Sequence, residues 1–112
     1  MTISTHVLDT SIGRPAEAVD VRLLAQQRDN SWLELGRSTT GSDGRVAVPL
    51  IDVRAEAGVY SLRFDVGTYF RRRGVNAFYA IVNVEFNVTD PASHYHVPLL
   101  VSPYGYSTYR GS

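Results

Sequence analysis

The residues best equipped for chemistry in this chain are its three histidines, His6, His94 and His96. An imidazole with an ordinary pKa of about 6.5 can take a proton from water, or return one, near neutral pH. His94 and His96 are separated by one residue, the spacing that puts two side chains on one face of a β-strand. Around His6, Ile3, Thr5 and Val7 share one face, and Ser4, His6 and Leu8 share the other. Around the pair, Tyr95, Val97, Leu99 and Val101 form the more apolar face and are expected to point inward, so His94, His96 and Pro98 point outward. If Val46, Val48 and Leu50 are inward in their strand, Arg45 points outward. With Tyr106 and Thr108 inward, Ser107 and Tyr109 face outward. Period two therefore predicts that His6, Arg45, His96 and Tyr109 lie on one outer sheet face, provided their strands share a sheet. Leu8, Pro98 and Leu100 join them there. Imidazoles and a guanidinium among apolar groups suit the wall of a groove between subunits better than a solvated surface.

Other chemistries stay open on these residues alone. His94-x-His96 with His6 as a third nitrogen donor is an arrangement zinc can use, although no carboxylate sits beside the pair. A Ser-His-Asp triad has less support, because no G-x-S-x-G elbow occurs. Gly41 and Gly44 fall in a hairpin turn rather than between a strand and a helix, so they form no phosphate loop. The bland reading is a β-sandwich with a histidine–arginine surface and no chemistry, and the residues by themselves go no further.

The elements that would hold these groups are mostly strands. Val19, Val21, Leu23 and Ala25 form an alternating run. So do Tyr60, Leu62, Phe64 and Val66, and again Val82, Val84, Phe86 and Val88. Each shows one apolar face, as a sheet covered on one side requires. Gly13-Arg14-Pro15, Gly41-Ser42-Asp43-Gly44, Asp90-Pro91 and Pro103-Tyr104-Gly105 punctuate them. The pattern predicts roughly eight short strands, near 2–9, 19–26, 31–37, 45–50, 59–66, 80–88, 94–102 and 104–110, which is the mark of an all-β sandwich. One segment departs from it. Thr68 is expected to cap a short helix through Tyr69, Phe70 and Arg71-Arg72-Arg73, with Gly74 ending it and the arginines on a solvated face.

Composition narrows the function classes. A chain of 112 residues predicts a single domain spanning 1–112. The 11 basic and 11 acidic residues cancel, which argues against a nucleic-acid partner and does little to keep copies apart. There is no cysteine, so disulfides and thiolate metal sites are excluded. No apolar run approaches the ~20 residues of a membrane span. The N-terminal residues lack a basic stretch followed by an apolar core, and a cytoplasmic location is the expectation.

The run His94-Tyr95-His96-Val97-Pro98-Leu99-Leu100-Val101-Ser102-Pro103-Tyr104-Gly105-Tyr106-Ser107-Thr108-Tyr109-Arg110-Gly111-Ser112 resembles the C-terminal motif of the transthyretin-related 5-hydroxyisourate hydrolases, which close on Tyr-Arg-Gly-Ser. His6-Val7-Leu8-Asp9 followed by Gly13-Arg14-Pro15-Ala16 is similar to that family's first motif, and Asp43-Gly44-Arg45 to its turn with a functional arginine. The likeness covers essentially the whole chain. It implies a transthyretin-like β-sandwich of two four-stranded sheets with one short helix. It also implies a homotetramer, a dimer of dimers, with active sites at the dimer–dimer contact.

The reaction the resemblance implies is hydrolysis of 5-hydroxyisourate to 2-oxo-4-hydroxy-4-carboxy-5-ureidoimidazoline, a step of urate degradation, with no cofactor and no metal. The implied catalytic residues are His6, Arg45, His96 and Ser112. Arg45, Tyr109, Arg110, Gly111 and Ser112 are the implied substrate-binding residues. Opening a ring amide needs a base for water and relief for the oxyanion. His6 or His96 suits the first task and the planar fork of Arg45 the second. His94 is expected at the rim in a supporting role. The competing expectation is a transthyretin-like small-ligand carrier without catalysis. Transthyretin lacks histidines equivalent to His6 and His96 and does not end in Tyr-Arg-Gly-Ser.

Overall fold

A computed structural model describes residues 2–46 and 56–112. Its strands are β1 (Thr2–Ser4), β2 (Val7–Asp9), β3 (Arg14–Pro15), β4 (Asp20–Gln26), β5 (Trp32–Thr39), β6 (Gly58–Phe64), β7 (Val82–Val88), β8 (His94–His96), β9 (Leu99–Ser102) and β10 (Gly105–Thr108), with helix α1 (Val66–Arg72) between β6 and β7. Two four-stranded sheets form, ordered β10-β9-β2-β3 and β5-β4-β6-β7, and β1 pairs with β8 in a parallel two-stranded sheet. The architecture is the β-sandwich of two four-stranded sheets that the resemblance implies, with one short helix among the described residues.

The alternating runs explain the sandwich. β4 and β6 align Val21 with Phe64 and Leu23 with Leu62, and all four are fully buried. Val7, Leu99 and Val101 from the other four-stranded sheet, and Ile3 from β1, meet them in one apolar cluster. Burying a side chain of this size stabilises the fold by ~1.5–3 kcal/mol before chain entropy is counted.

Two expected strands are each divided in the structure, and one residue accounts for both breaks. Residues 2–9 separate into β1 and β2, and 94–102 into β8 and β9. Pro98 has no N–H to donate, so the parallel ladder lapses beside it. The gap is bridged from the facing chain. Thr5 Oγ1 donates to the Val97 carbonyl at 2.6 Å, and the Val97 and Leu99 amides donate to the Ser4 and His6 carbonyls at 2.9 and 3.0 Å. Of the expected strand at 45–50, Arg45 and Val46 each make an isolated antiparallel bridge, to His6 and Thr40. The rest of that strand lies outside the described residues.

Helix α1 begins earlier than the sequence reading places it. Asp65, not Thr68, is the cap: its carboxylate accepts from the Thr68 amide at 3.1 Å and from the Thr68 hydroxyl at 2.8 Å. Thr68 thus supplies the donors to a cap three residues back. Gly74, at φ +70°, follows the last turn as expected. The arginine triplet is exposed and locally tied: Arg71 to Thr68 Oγ1, Arg72 to the Ala18 carbonyl, and Arg73 over the Tyr69 ring. Tyr69 in turn donates to the fully buried carboxylate of Asp9 at 2.8 Å, joining α1 to β2. Burial, then that bond, pushes the Tyr69 hydroxyl up to about 12.

Candidate active site

The site is built where β1 and β8 run side by side. Their register sets Thr2 against His94, Ile3 against Tyr95 and Ser4 against His96. Ile3 and Tyr95 are buried, so alternation turns Thr2, Ser4, His94 and His96 to the opposite face. The two imidazoles stack nearly parallel, 11° apart in plane and 6.4 Å between centroids. Ser4 lies between them, its Oγ 2.8 Å from His96 Nδ1 and 3.2 Å from His94 Nε2. Thr2 Oγ1 hydrogen-bonds His94 Nδ1.

His6 and Arg45 come to this place by a different route. The 41–44 turn closes with the Gly44 amide on the Gly41 carbonyl at 2.9 Å, and Asp43 Oδ1 accepts from the Arg45 amide at 2.9 Å. Gly44 sits at φ +77°, and its carbonyl takes the Val7 amide at 2.8 Å. A Cβ at Gly44 would lie 2.3 Å from the Val7 carbonyl oxygen and 3.2 Å from His6 Cδ2. The backbone approach that brings Arg45 opposite His6 therefore requires glycine.

His96 senses all of these neighbours. Burial lowers its pKa from the ordinary 6.5, and the charges of Arg45, His94 and His6 lower it further. The ring is thus kept neutral at neutral pH, as a base for water must be. With Nδ1 taken up by Ser4, Nε2 is the nitrogen left for a reacting group. Among the described residues, no group of three His, Cys, Asp or Glu is arranged to hold a metal ion.

The C-terminal segment reaches the same imidazole from its other side. Gly111 makes an antiparallel bridge with His96 and donates its amide to the His96 carbonyl at 2.8 Å. Tyr109 departs from the parity expectation. It lies beyond the end of β10 and lines a cleft of about 240 Å³ with Val84, Phe86, Tyr95 and Val97, on the flank between the sheets. Arg110 stacks there on Tyr95, 4.7 Å from the ring centroid, and Ser112 is exposed. Tyr106, although in the inward register opposite Val101, is 44% exposed at the sheet edge and meets the Tyr79 ring. The structure therefore brings together His6, Arg45, His94, His96 and Gly111, and holds Tyr109 and Arg110 on the adjoining flank. Parity failed at Tyr109 because a chain past its last ladder bond is no longer bound to period two. The sequence reading put Ser4 on the His6 face but gave it no role, and gave none to Thr2. Their one signal was the parity Ser4 shares with His6.

An imidazole pair beside a guanidinium, on the outer face of one sheet of a transthyretin-like sandwich, places this protein in a class whose members either transform or carry small molecules. The chain belongs to the HIUase/Transthyretin family, whose sequence pattern matches residues 3–111. It is 49% identical, over 115 residues, to 5-hydroxyisourate hydrolase 2 of Rhizobium meliloti (strain 1021), a match covering 98% of this chain and 95% of that protein. Among solved structures it is similar to the 5-hydroxyisourate hydrolase of Klebsiella pneumoniae, at 37% identity and a TM-score of 0.87, with all of both chains covered. It also superposes on sea bream transthyretin in complex with thyroxine, at 28% identity and a TM-score of 0.92, covering 99% of this chain and 95% of that one.

Proposed function

We propose that this chain hydrolyses 5-hydroxyisourate to 2-oxo-4-hydroxy-4-carboxy-5-ureidoimidazoline, a step of urate degradation. The observation that carries the reading is the gathering of His6, Arg45 and His96 at one place from three separate segments, with His96 held neutral. In this scheme His96 Nε2 deprotonates the attacking water and His6 orients it. Arg45 binds the flat, oxygen-rich ring and favours the charge that develops on the attacked carbonyl oxygen. Gly111 keeps the C-terminal segment against His96, so that Ser112 borders the substrate, while Tyr109 and Arg110 hold the segment from the adjoining flank. The superposition on sea bream transthyretin in complex with thyroxine supports the shared fold, while carriage gives no task to a hydroxyl-anchored imidazole shifted toward its neutral form.

The working unit in this reading is a cytoplasmic homotetramer, a dimer of dimers with its sites at the dimer–dimer interface. Leu8 pairs with Leu100 across β2 and β9, half-buried beside His6, an apolar row fitted to a docked subunit. β7 and β10 end their sheets among the described strands, which leaves edges for the first pairing. Among the described residues, no helix is long and apolar enough to cross a membrane.

The deciding experiment adds the purified protein to freshly generated 5-hydroxyisourate and follows its ultraviolet absorbance. Decay well above the spontaneous rate is expected. Decay at the background rate would remove the hydrolase reading and leave the carrier, which thyroxine binding would then test.

A further inference from the structure

We propose that Thr2, His94 and Ser4 form a proton relay joining Nδ1 of His96 to solvent, with Ser4 setting the tautomer of His96. The proposal rests on the hydrolase reading for its purpose, but its structural core can be tested without it. The physical basis is an unbroken alternation of hydroxyl and imidazole. Thr2 Oγ1 meets His94 Nδ1, His94 Nε2 lies 3.2 Å from Ser4 Oγ, and Ser4 Oγ lies 2.8 Å from His96 Nδ1. One end, at Thr2 and His94, is exposed, and the other, at His96, is partly buried.

A neutral imidazole has one N–H and one acceptor nitrogen, and a hydroxyl donates one hydrogen. These limits permit two complete arrangements of the chain. In the first, His96 Nδ1–H donates to Ser4, the Ser4 hydroxyl to His94 Nε2, His94 Nδ1–H to Thr2, and Thr2 to solvent. His96 Nε2 then carries a lone pair and is a base. In the second, every bond is reversed, and His96 Nε2 carries the hydrogen and is an acid. A single serine bridging both rings couples the two histidines, so neither can reverse alone.

Hydrolysis of a ring amide uses both arrangements. A C–O bond forms, the ring C–N bond breaks, and water supplies a proton to the departing nitrogen. The new carboxylic acid ionises near neutral pH, so each turnover leaves one further proton to discard. When Nε2 takes a proton from water, an imidazolium would stand partly buried and facing the Arg45 cation, both of which already disfavour it. Transfer of Nδ1–H to Ser4, with matching transfers through His94 and Thr2, releases one proton to solvent at the exposed end. His96 is left neutral with Nε2–H. As that hydrogen passes to the departing nitrogen the relay runs in reverse, Thr2 taking one proton from solvent, so that His96 regains Nδ1–H. The proton left over is the one the new carboxylic acid sheds. Ser4, Thr2 and His94 thus act through His96 and are positioning and relay residues rather than catalytic ones.

The test compares Ser4→Ala, Ser4→Thr and His94→Gln with the parent chain. Ser4→Ala should lower kcat by roughly 10–100-fold, with KM within about 2-fold, because a proton transfer is impaired and not binding. Ser4→Thr retains the hydroxyl and should restore kcat to within about 3-fold. His94→Gln preserves hydrogen bonding but cannot pass a proton. It should match Ser4→Ala and recover on addition of free imidazole. The parent rate plotted against deuterium fraction in the solvent should be bowed, as for several protons moving together, and should become linear in Ser4→Ala. A parent-like kcat and a bowed plot in His94→Gln would overturn the relay. Nitrogen NMR of His96 provides the readout that needs no activity. The neutral tautomers of His96 and His94 should change together in the parent, and Ser4→Ala should uncouple them and alter the tautomer ratio of His96. An unchanged tautomer defeats the proposal even in an active hydrolase. An inactive parent showing the expected tautomers defeats the hydrolase reading alone.

Discussion

The Gly111 amide donates to the His96 carbonyl, and a Cβ on Gly111 would come within 2.5 Å of His96 Cδ2. The C-terminal segment therefore reaches this imidazole only because residue 111 has no side chain. Real Cβ atoms do not approach so closely, so either the ring or the segment must move when one is added. Gly111→Ala is expected to cut kcat/KM on the order of 100-fold, the cost of displacing a reacting group by about an ångström. Thermal stability should hardly change, because a single isolated bridge is affected and none of the core. Steady-state kinetics with a melting curve checks both, and parent-like turnover would show that the close fit is not used.

His6, Arg45 and His96 come from three segments, and each has its own task in the proposed scheme. His6→Ala, Arg45→Ala and His96→Ala should each lower turnover by at least ~100-fold, on the scale of general acid–base and electrostatic contributions. Assembly, checked by sizing, should be retained. Near-normal turnover in any of the three removes that residue from the scheme.

The depressed pKa of His96 gives activity a pH signature. Burial, then the charges of Arg45, His94 and His6, place it below 6.5. The base is therefore unprotonated at neutral pH, and the acid limb of kcat/KM should lie below 6.5. Removing the Arg45 charge raises the His96 pKa, so residual activity in Arg45→Ala should show its acid limb at higher pH than the parent. A limb that stays in place would detach Arg45 from His96. The same linkage acts on stability. Below 6.5 the unfolded chain binds the proton first. The contribution of His96 is thus complete above 6.5 and is lost as pH falls through the folded value.

Gly44 and Gly13 both adopt positive φ, +77° and +64°, yet their surroundings differ. A Cβ at Gly44 would strike the Val7 carbonyl, whereas one at Gly13 meets nothing within 4 Å. Gly13→Ala should cost about 1 kcal/mol, the conformational penalty alone. Gly44→Ala should cost about 2–3 kcal/mol or more and should also lower turnover, since the turn that carries Arg45 must shift. Urea unfolding of the two variants makes the comparison, and equal losses would mean that the close approach carries no weight.

The strands and their faces were legible because burial on one side of a sheet imposes period two on residue choice. Val21, Leu23, Leu62, Phe64, Tyr95, Val97, Leu99 and Val101 point as that period predicts. The same rule placed Arg45, His6 and His96 on a common face, and the terminal motifs marked the family. Thr68 was misread as the helix cap because it has the right chemistry. Asp65, three residues earlier, could cap as well, and only the packing of Val66 into the core selects between them.

What parity cannot express is distance between segments. Residues 2–9 say nothing of running parallel beside 94–102, and that register alone sets Ser4 between two imidazoles 90 and 92 positions away. Nor does the pattern show that Pro98 interrupts the ladder, or that Tyr109 slips to the flank once β10 ends. Sequence determined which side chains could do chemistry and which way each would point. The tertiary structure decided their neighbours, because hydrogen-bond register between distant strands is settled by packing of the whole core and not by any local choice of residue.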